Sequence, residues 1–154
     1  MKLNPPALPS PPTGIIAAAA YGRLRELKTM LASGNDPATK DAFGRTPLLH
    51  AATNLEIDAI RMLLEHGANP NLAGWGGNTP LLAAIDSDVV QHIDAVDAGK
   101  PLDALPPFTE ALTLLLNAGA DPYQADESGH NALDLARRMH PRALEELLRH
   151  VRRT

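Results

Sequence analysis

The chain has 154 residues, 44% of them hydrophobic but only 3% aromatic, and a formal net charge of -4. This is enough for one domain with a core of Leu, Ala, Ile and Val, which suits close-packed helices better than a sandwich of aromatic-rich strands. The lack of cysteine excludes disulfides, zinc-thiolate centres and cysteine nucleophiles, and there is no apolar run of about 18 residues to span a membrane.

Residues 1–13 form a proline-rich arm. Asn4 to Pro12 holds five prolines in nine residues, which rules out a helix and predicts an extended, flexible tail. The arm has no apolar stretch of the secretory kind, so a cytoplasmic protein is expected. A helical domain is expected over 14–154, in segments of about 14–36, 37–69, 70–121 and 122–154. The first holds Ala18-Ala19-Ala20-Tyr21-Gly22 and a Leu-rich run from Leu24 to Gly34.

The second segment sets the period. Gly34, Gly44, Thr46, Pro47 and Leu48 recur 33 residues later as Gly67, Gly77, Thr79, Pro80 and Leu81. Thr46 and Thr79 can cap free helix amides, and the following prolines fit a first turn that needs no N–H. Gly67, after Met62-Leu63-Leu64, suits the left-handed turn that ends a helix. Ala51-Ala52 and Ala83-Ala84 let neighbouring helices approach closely. Each unit is a helix, a turn, a second helix and a longer loop.

In the third segment Gly119 and Gly129 lie 52 residues beyond Gly67 and Gly77, an insertion of 19. Leu82, Ile85, Val89, Ile93 and Val96 form a helical stripe that predicts a helix over about 80–98. Gly99-Lys100-Pro101 stops it, Lys100 to Leu105 protrudes, and a second helix runs from about Phe108 to Ala118. Either Leu102, Leu105 and Phe108 fold back over the stripe, or part of it stays exposed for a partner. The insertion carries Asp86, Asp88, Asp94, Asp97 and Asp103 against Lys100. Residues 41–127 hold 13 acidic side chains and 3 basic ones. A solvated acidic face accounts for these carboxylates, as does steering of a basic partner. Their spacing does not match a calcium loop, so no metal is expected. In the fourth segment a final helix, about Arg142 to Arg152, surrounds Leu144, Leu147, Leu148 and Val151 with charge, as the end of a stack requires.

Thr46-Pro47-Leu48-Leu49-His50-Ala51-Ala52 with Gly67-Ala68-Asn69, and Gly119-Ala120-Asp121 with Asn131 to Arg137, resemble the ankyrin repeat over roughly residues 14–150. The resemblance implies an all-α solenoid of about four helix-turn-helix repeats, the third carrying the insertion. Leu49 and Leu82 stand where the family usually has a loop-tethering His. Leu55 replaces a turn glycine, which predicts strain between the helices of the second repeat. The resemblance also implies a concave face lined by loop tips, here Lys40, Ala42, Phe43 and Arg45, then Ala73, Trp75, Gly76 and Asn78, then Ala125, Glu127, Ser128 and His130. Trp75 is the sole Trp and falls outside the repeat's core positions. It pairs with Phe43 as an aromatic anchor, or else folds over the adjacent repeat.

Signals for catalysis are absent. The six histidines have no metal-ligand spacing, Gly74-Trp75-Gly76-Gly77 lacks the Lys of a phosphate loop, and Asp86 and Asp88 point to different helix faces. The acidic middle disfavours nucleic acid. The expectation is a cofactor-free, non-enzymatic monomer that binds another protein with a basic surface through Lys40, Phe43, Arg45, Trp75, Asn78, Asp86, Asp88, Asp94, Asp97, Glu127 and His130. Its short length suggests an inhibitor or immunity-type role. The alternative is self-assembly, with the acidic middle of one copy meeting the basic ends of another.

Overall fold

The computed structural model describes residues 12–87, 108–139 and 141–152. Its helices come in pairs: α1 (Gly14–Ala20) with α2 (Leu24–Ala32), and α3 (Pro47–Thr53) with α4 (Ile57–Glu65). Next come α5, helical over 80–87, and α6 (Phe108–Asn117), then α7 (Ala132–Met139) with α8 (Pro141–Val151). The described residues contain no strand. Helix α1 lies against α3, and α6 sits between α4 and α8, so the pairs stack.

Small side chains make the stack close. Ala18, Ala19, Ala51, Ala52 and Ala84 are fully buried, and Leu27, Ile60, Leu63, Leu112 and Leu115 of the outer helices fill the space behind them in one continuous core. Thr46 Oγ1 accepts from the Leu49 amide at 3.2 Å and Thr79 Oγ1 from the Leu82 amide at 3.3 Å, as the Thr-Pro pairs predict. At the start of α7, Asn131 and Asp134 cap reciprocally: each side chain accepts from the other's backbone amide. Leu82 and Ile85 are buried. The rest of the expected stripe, Val89, Ile93 and Val96, and the loop 100–105 lie outside the described residues.

Two features refine the sequence expectations. Leu55 has φ 53, as its equivalent Gly22 has φ 61, so a branched, buried side chain (3% exposed) is held in left-handed backbone. That conformation costs an L-residue about 1–2 kcal/mol. Second, Asn71, in the connection between α4 and α5, joins successive repeats. Its Nδ2 donates to the Gly119 carbonyl at 2.9 Å and its Oδ1 accepts from the Asp121 amide at 2.8 Å.

Candidate interaction face

Three loops, 41–45, 74–78 and 126–130, share one backbone pattern. The first residue of each donates its amide to the carbonyl four residues on: Asp41 to Arg45 at 3.0 Å, Gly74 to Asn78 at 2.9 Å and Asp126 to His130 at 2.9 Å. Asp41 Oδ1 also accepts from the Phe43 and Arg45 amides, both at 2.9 Å. Asp126 Oδ1 does the same for Ser128 and His130 at 2.8 and 2.9 Å. The middle loop begins with glycine because a Cβ on Gly74 would lie 2.7 Å from Leu49 Cδ2 and 2.9 Å from Arg45 Cγ.

The loops are joined edge to edge by single backbone bonds, Trp75 N–H to Phe43 O at 2.9 Å and Glu127 N–H to Gly76 O at 2.9 Å. Gly77 makes the second junction possible. It has φ 75, and a Cβ there would lie 2.9 Å from both Asp126 Cα and the Glu127 nitrogen. Satisfied backbone groups at the tips give the face a fixed shape before anything binds.

Asp41 anchors the first loop to α3. Its Oδ2 accepts from Arg45 Nε at 2.8 Å and from His50 Nε2 at 2.9 Å, and His50 is only 8% exposed. Burial pushes the Asp41 carboxyl up. Hydrogen bonds from His50, from the Arg45 and Phe43 amides and from the Arg45 guanidinium outweigh it and hold the pKa at about 2. The loop tether, absent at Leu49, is thus made by His50 one position later. Sequence reasoning left His50 without a partner, and the available signal was a lone His nine residues after an Asp that opens the loop.

Between the first two loops and α3 lies a groove of about 370 Å³ lined by Phe43, Arg45, Leu49, Thr53, Trp75 and Asn78. Leu49 forms a buried floor, while Trp75 is 79% exposed and Phe43 40%. Trp75 stands in solvent rather than folded down on the next repeat. The Arg45 guanidinium lies 5.2 Å from the Phe43 ring centroid, so Arg45 is held by both Asp41 and Phe43.

The remaining predicted positions are spread more widely. Lys40, Glu127 and His130 are exposed, with His130 Nδ1 3.9 Å from Asp126 Oδ1. Asp86, exposed near the end of the described part of α5, has its carboxyl pushed up by desolvation first and by the Asp126 charge second. Asp88, Asp94 and Asp97 lie outside the described residues. Among the described residues no cluster of His, Cys, Asp or Glu could hold a metal ion, and no helix is long and apolar enough to cross a membrane.

The family profile described as ankyrin repeats (3 copies) matches residues 15–98. The mitochondrial disaggregase of Bos taurus is 27% identical over 140 residues, 80% of this chain and 21% of that protein. The chain spans under a quarter of such curated relatives. Among solved structures, an ankyrin repeat domain from Acinetobacter baumannii superposes with a TM-score of 0.74 at 28% identity, covering 88% of this chain and 63% of that one. The ankyrin repeat domain of Bcl-3, from the IkappaB protein family, shares the fold with a TM-score of 0.68 at 23% identity, covering 89% and 51%.

Proposed function

The chain belongs to the ankyrin-repeat family, and on that premise we propose that it is a non-catalytic module gripping one partner protein with a basic surface through its concave face and loop tips. Ankyrin repeats are protein–protein interaction modules. The observation that carries the reading is the open groove between Phe43 and Trp75. A Trp 79% exposed on loops joined to their neighbours by backbone hydrogen bonds offers a large contact area at small ordering cost. Arg45 and Asn78 supply its polar lining, Lys40, Glu127 and His130 are exposed elsewhere on the loops, and Asp86, with Asp88, Asp94 and Asp97 later in the sequence, is assigned to attracting a basic partner. We assign residues 1–13 to a proline-rich arm, of which 1–11 lie outside the described residues, and 14–154 to the binding domain, acting as a cytoplasmic monomer of inhibitor or immunity type.

The test compares the wild-type chain with Trp75→Ala. A partner isolated from the native host and purified is titrated calorimetrically against both. A hot-spot Trp predicts about thirty-fold or more weaker binding by the variant with an unchanged melting curve. Equal affinities would sink the reading. Light scattering from low to high salt separates it from self-assembly, which requires a mass above the monomer at low salt.

A further inference from the structure

The repeat translates the Phe43–Trp75 groove onto a second position with different chemistry. Moving on by one repeat, 33 residues within the second and third segments and 52 across the insertion, replaces Leu49 with Leu82, Thr53 with Asp86, Trp75 with Glu127 and Asn78 with His130. The floor stays a buried Leu, while the wall changes from Trp to carboxylate. The backbone bond from Glu127 to Gly76 repeats the one from Trp75 to Phe43, so Glu127 stands on its loop as Trp75 does.

We propose that this face carries two adjoining subsites for one extended segment of the partner: the Phe43–Trp75 groove takes a large apolar side chain, and the Asp86–Glu127 position takes a Lys or Arg side chain. The inference rests on the protein-binding reading above and adds to it the chemistry and direction of the ligand. Charge complementarity selects the occupant. Thr53 and Trp75 line one groove, so the repeat sets their equivalents Asp86 and Glu127 as two like charges at one position, and Asp126 adds to the charge acting on Asp86. Among the described residues no Lys or Arg pairs with these three carboxylates, and the one ion contact they make is His130 Nδ1 to Asp126 Oδ1 at 3.9 Å. A partner cation would relieve that repulsion. At the other subsite Arg45 is already held by Asp41 and Phe43, with Lys40 nearby in the chain, so a second cation is disfavoured there. Neighbouring helices pack about 8–10 Å apart and an extended chain advances about 3.3 Å per residue, which separates the two side chains by roughly three residues.

A displayed library of random linear peptides, selected on the immobilised full chain, tests this. The expected consensus is a large apolar residue with Lys or Arg two to four positions away. A synthetic peptide of that consensus should shift the emission of Trp75, the only Trp, and bind about tenfold tighter than the same peptide with Glu for the cation. On Asp86→Asn and Glu127→Gln the preference should shrink to less than about threefold while apolar selection persists. Both residues are exposed, and melting curves check that the variants fold. Selected peptides that depend on Trp75 but ignore charge overturn the two-subsite proposal and leave the protein-binding reading standing. Peptides indifferent to Trp75, or no enrichment at all, overturn both.

Discussion

At Leu55 the usual order of alanine and glycine should reverse. In ordinary backbone glycine is less stable than alanine by about 0.5–1 kcal/mol, because it loses more freedom on folding. At Leu55, with φ 53, alanine keeps the left-handed strain of about 1–2 kcal/mol while glycine releases it. Leu55→Ala and Leu55→Gly both lose nearly all of a buried Leu side chain, about 2–5 kcal/mol. The strain term then exceeds the entropy term, and Leu55→Gly should be the more stable by about 0.5–1 kcal/mol. Urea denaturation followed by helical circular dichroism at constant slope measures the difference. Ala52→Gly, buried in the last turn of α3, is the control and should destabilise in the ordinary direction. If Leu55→Ala matches or exceeds Leu55→Gly, the turn is not strained as described and the reasoning fails.

The Asp41 network predicts a pH dependence of known sign. A carboxyl held at about 2 against an ordinary 3.8 stabilises the fold fully above the unfolded value, and this stability, about 2 kcal/mol, is lost as pH falls from about 4 through 2. Asp41→Asn should flatten the acid limb of a stability–pH curve in that window and lower stability at pH 7 by a similar amount; an unchanged acid limb would refute the assignment. Gly77→Ala combines a positive φ with a Cβ 2.9 Å from the Asp126 and Glu127 backbone, and should cost about 2–3 kcal/mol. Hydrogen exchange at the Glu127 amide should accelerate more than that at the Trp75 amide, because only the second junction is disturbed.

What could be read from the sequence, and what could not, follows from where the information lies. The 33-residue period located the helices because capping and termination are local: Thr46-Pro47 opens α3, and the expected helices at Phe108–Ala118 and Arg142–Arg152 appear as Phe108–Asn117 and Pro141–Val151. Leu55 was legible for the same reason, as a residue in a glycine position. The Asp41–His50 tether was not, since two side chains nine apart meet only after the loop backbone has turned. Bonds between repeats, such as those of the Asn71 side chain to the Gly119 carbonyl and the Asp121 amide, join groups about 50 residues apart, and their backbone partners are of a kind every residue possesses. The influence of the Asp126 charge on Asp86 likewise depends on stacking, not on spacing along the chain.

The loop junctions also explain why the fold says so little about its partner. The bonds from Trp75 to Phe43 and from Glu127 to Gly76 use only N–H and C=O groups, so any side chain can sit on the donor residues without disturbing the stitching. Gly74 and Gly77 are the opposite case: a Cβ on Gly77 would run into the Asp126 and Glu127 backbone, and one on Gly74 would have to displace the Leu49 and Arg45 side chains. Stability and recognition are therefore carried by different positions of the same loops. A substitution at Trp75 or Glu127 should alter what binds and leave the melting curve in place, whereas one at Gly77 should lower the melting temperature first and weaken binding only through the displaced loop.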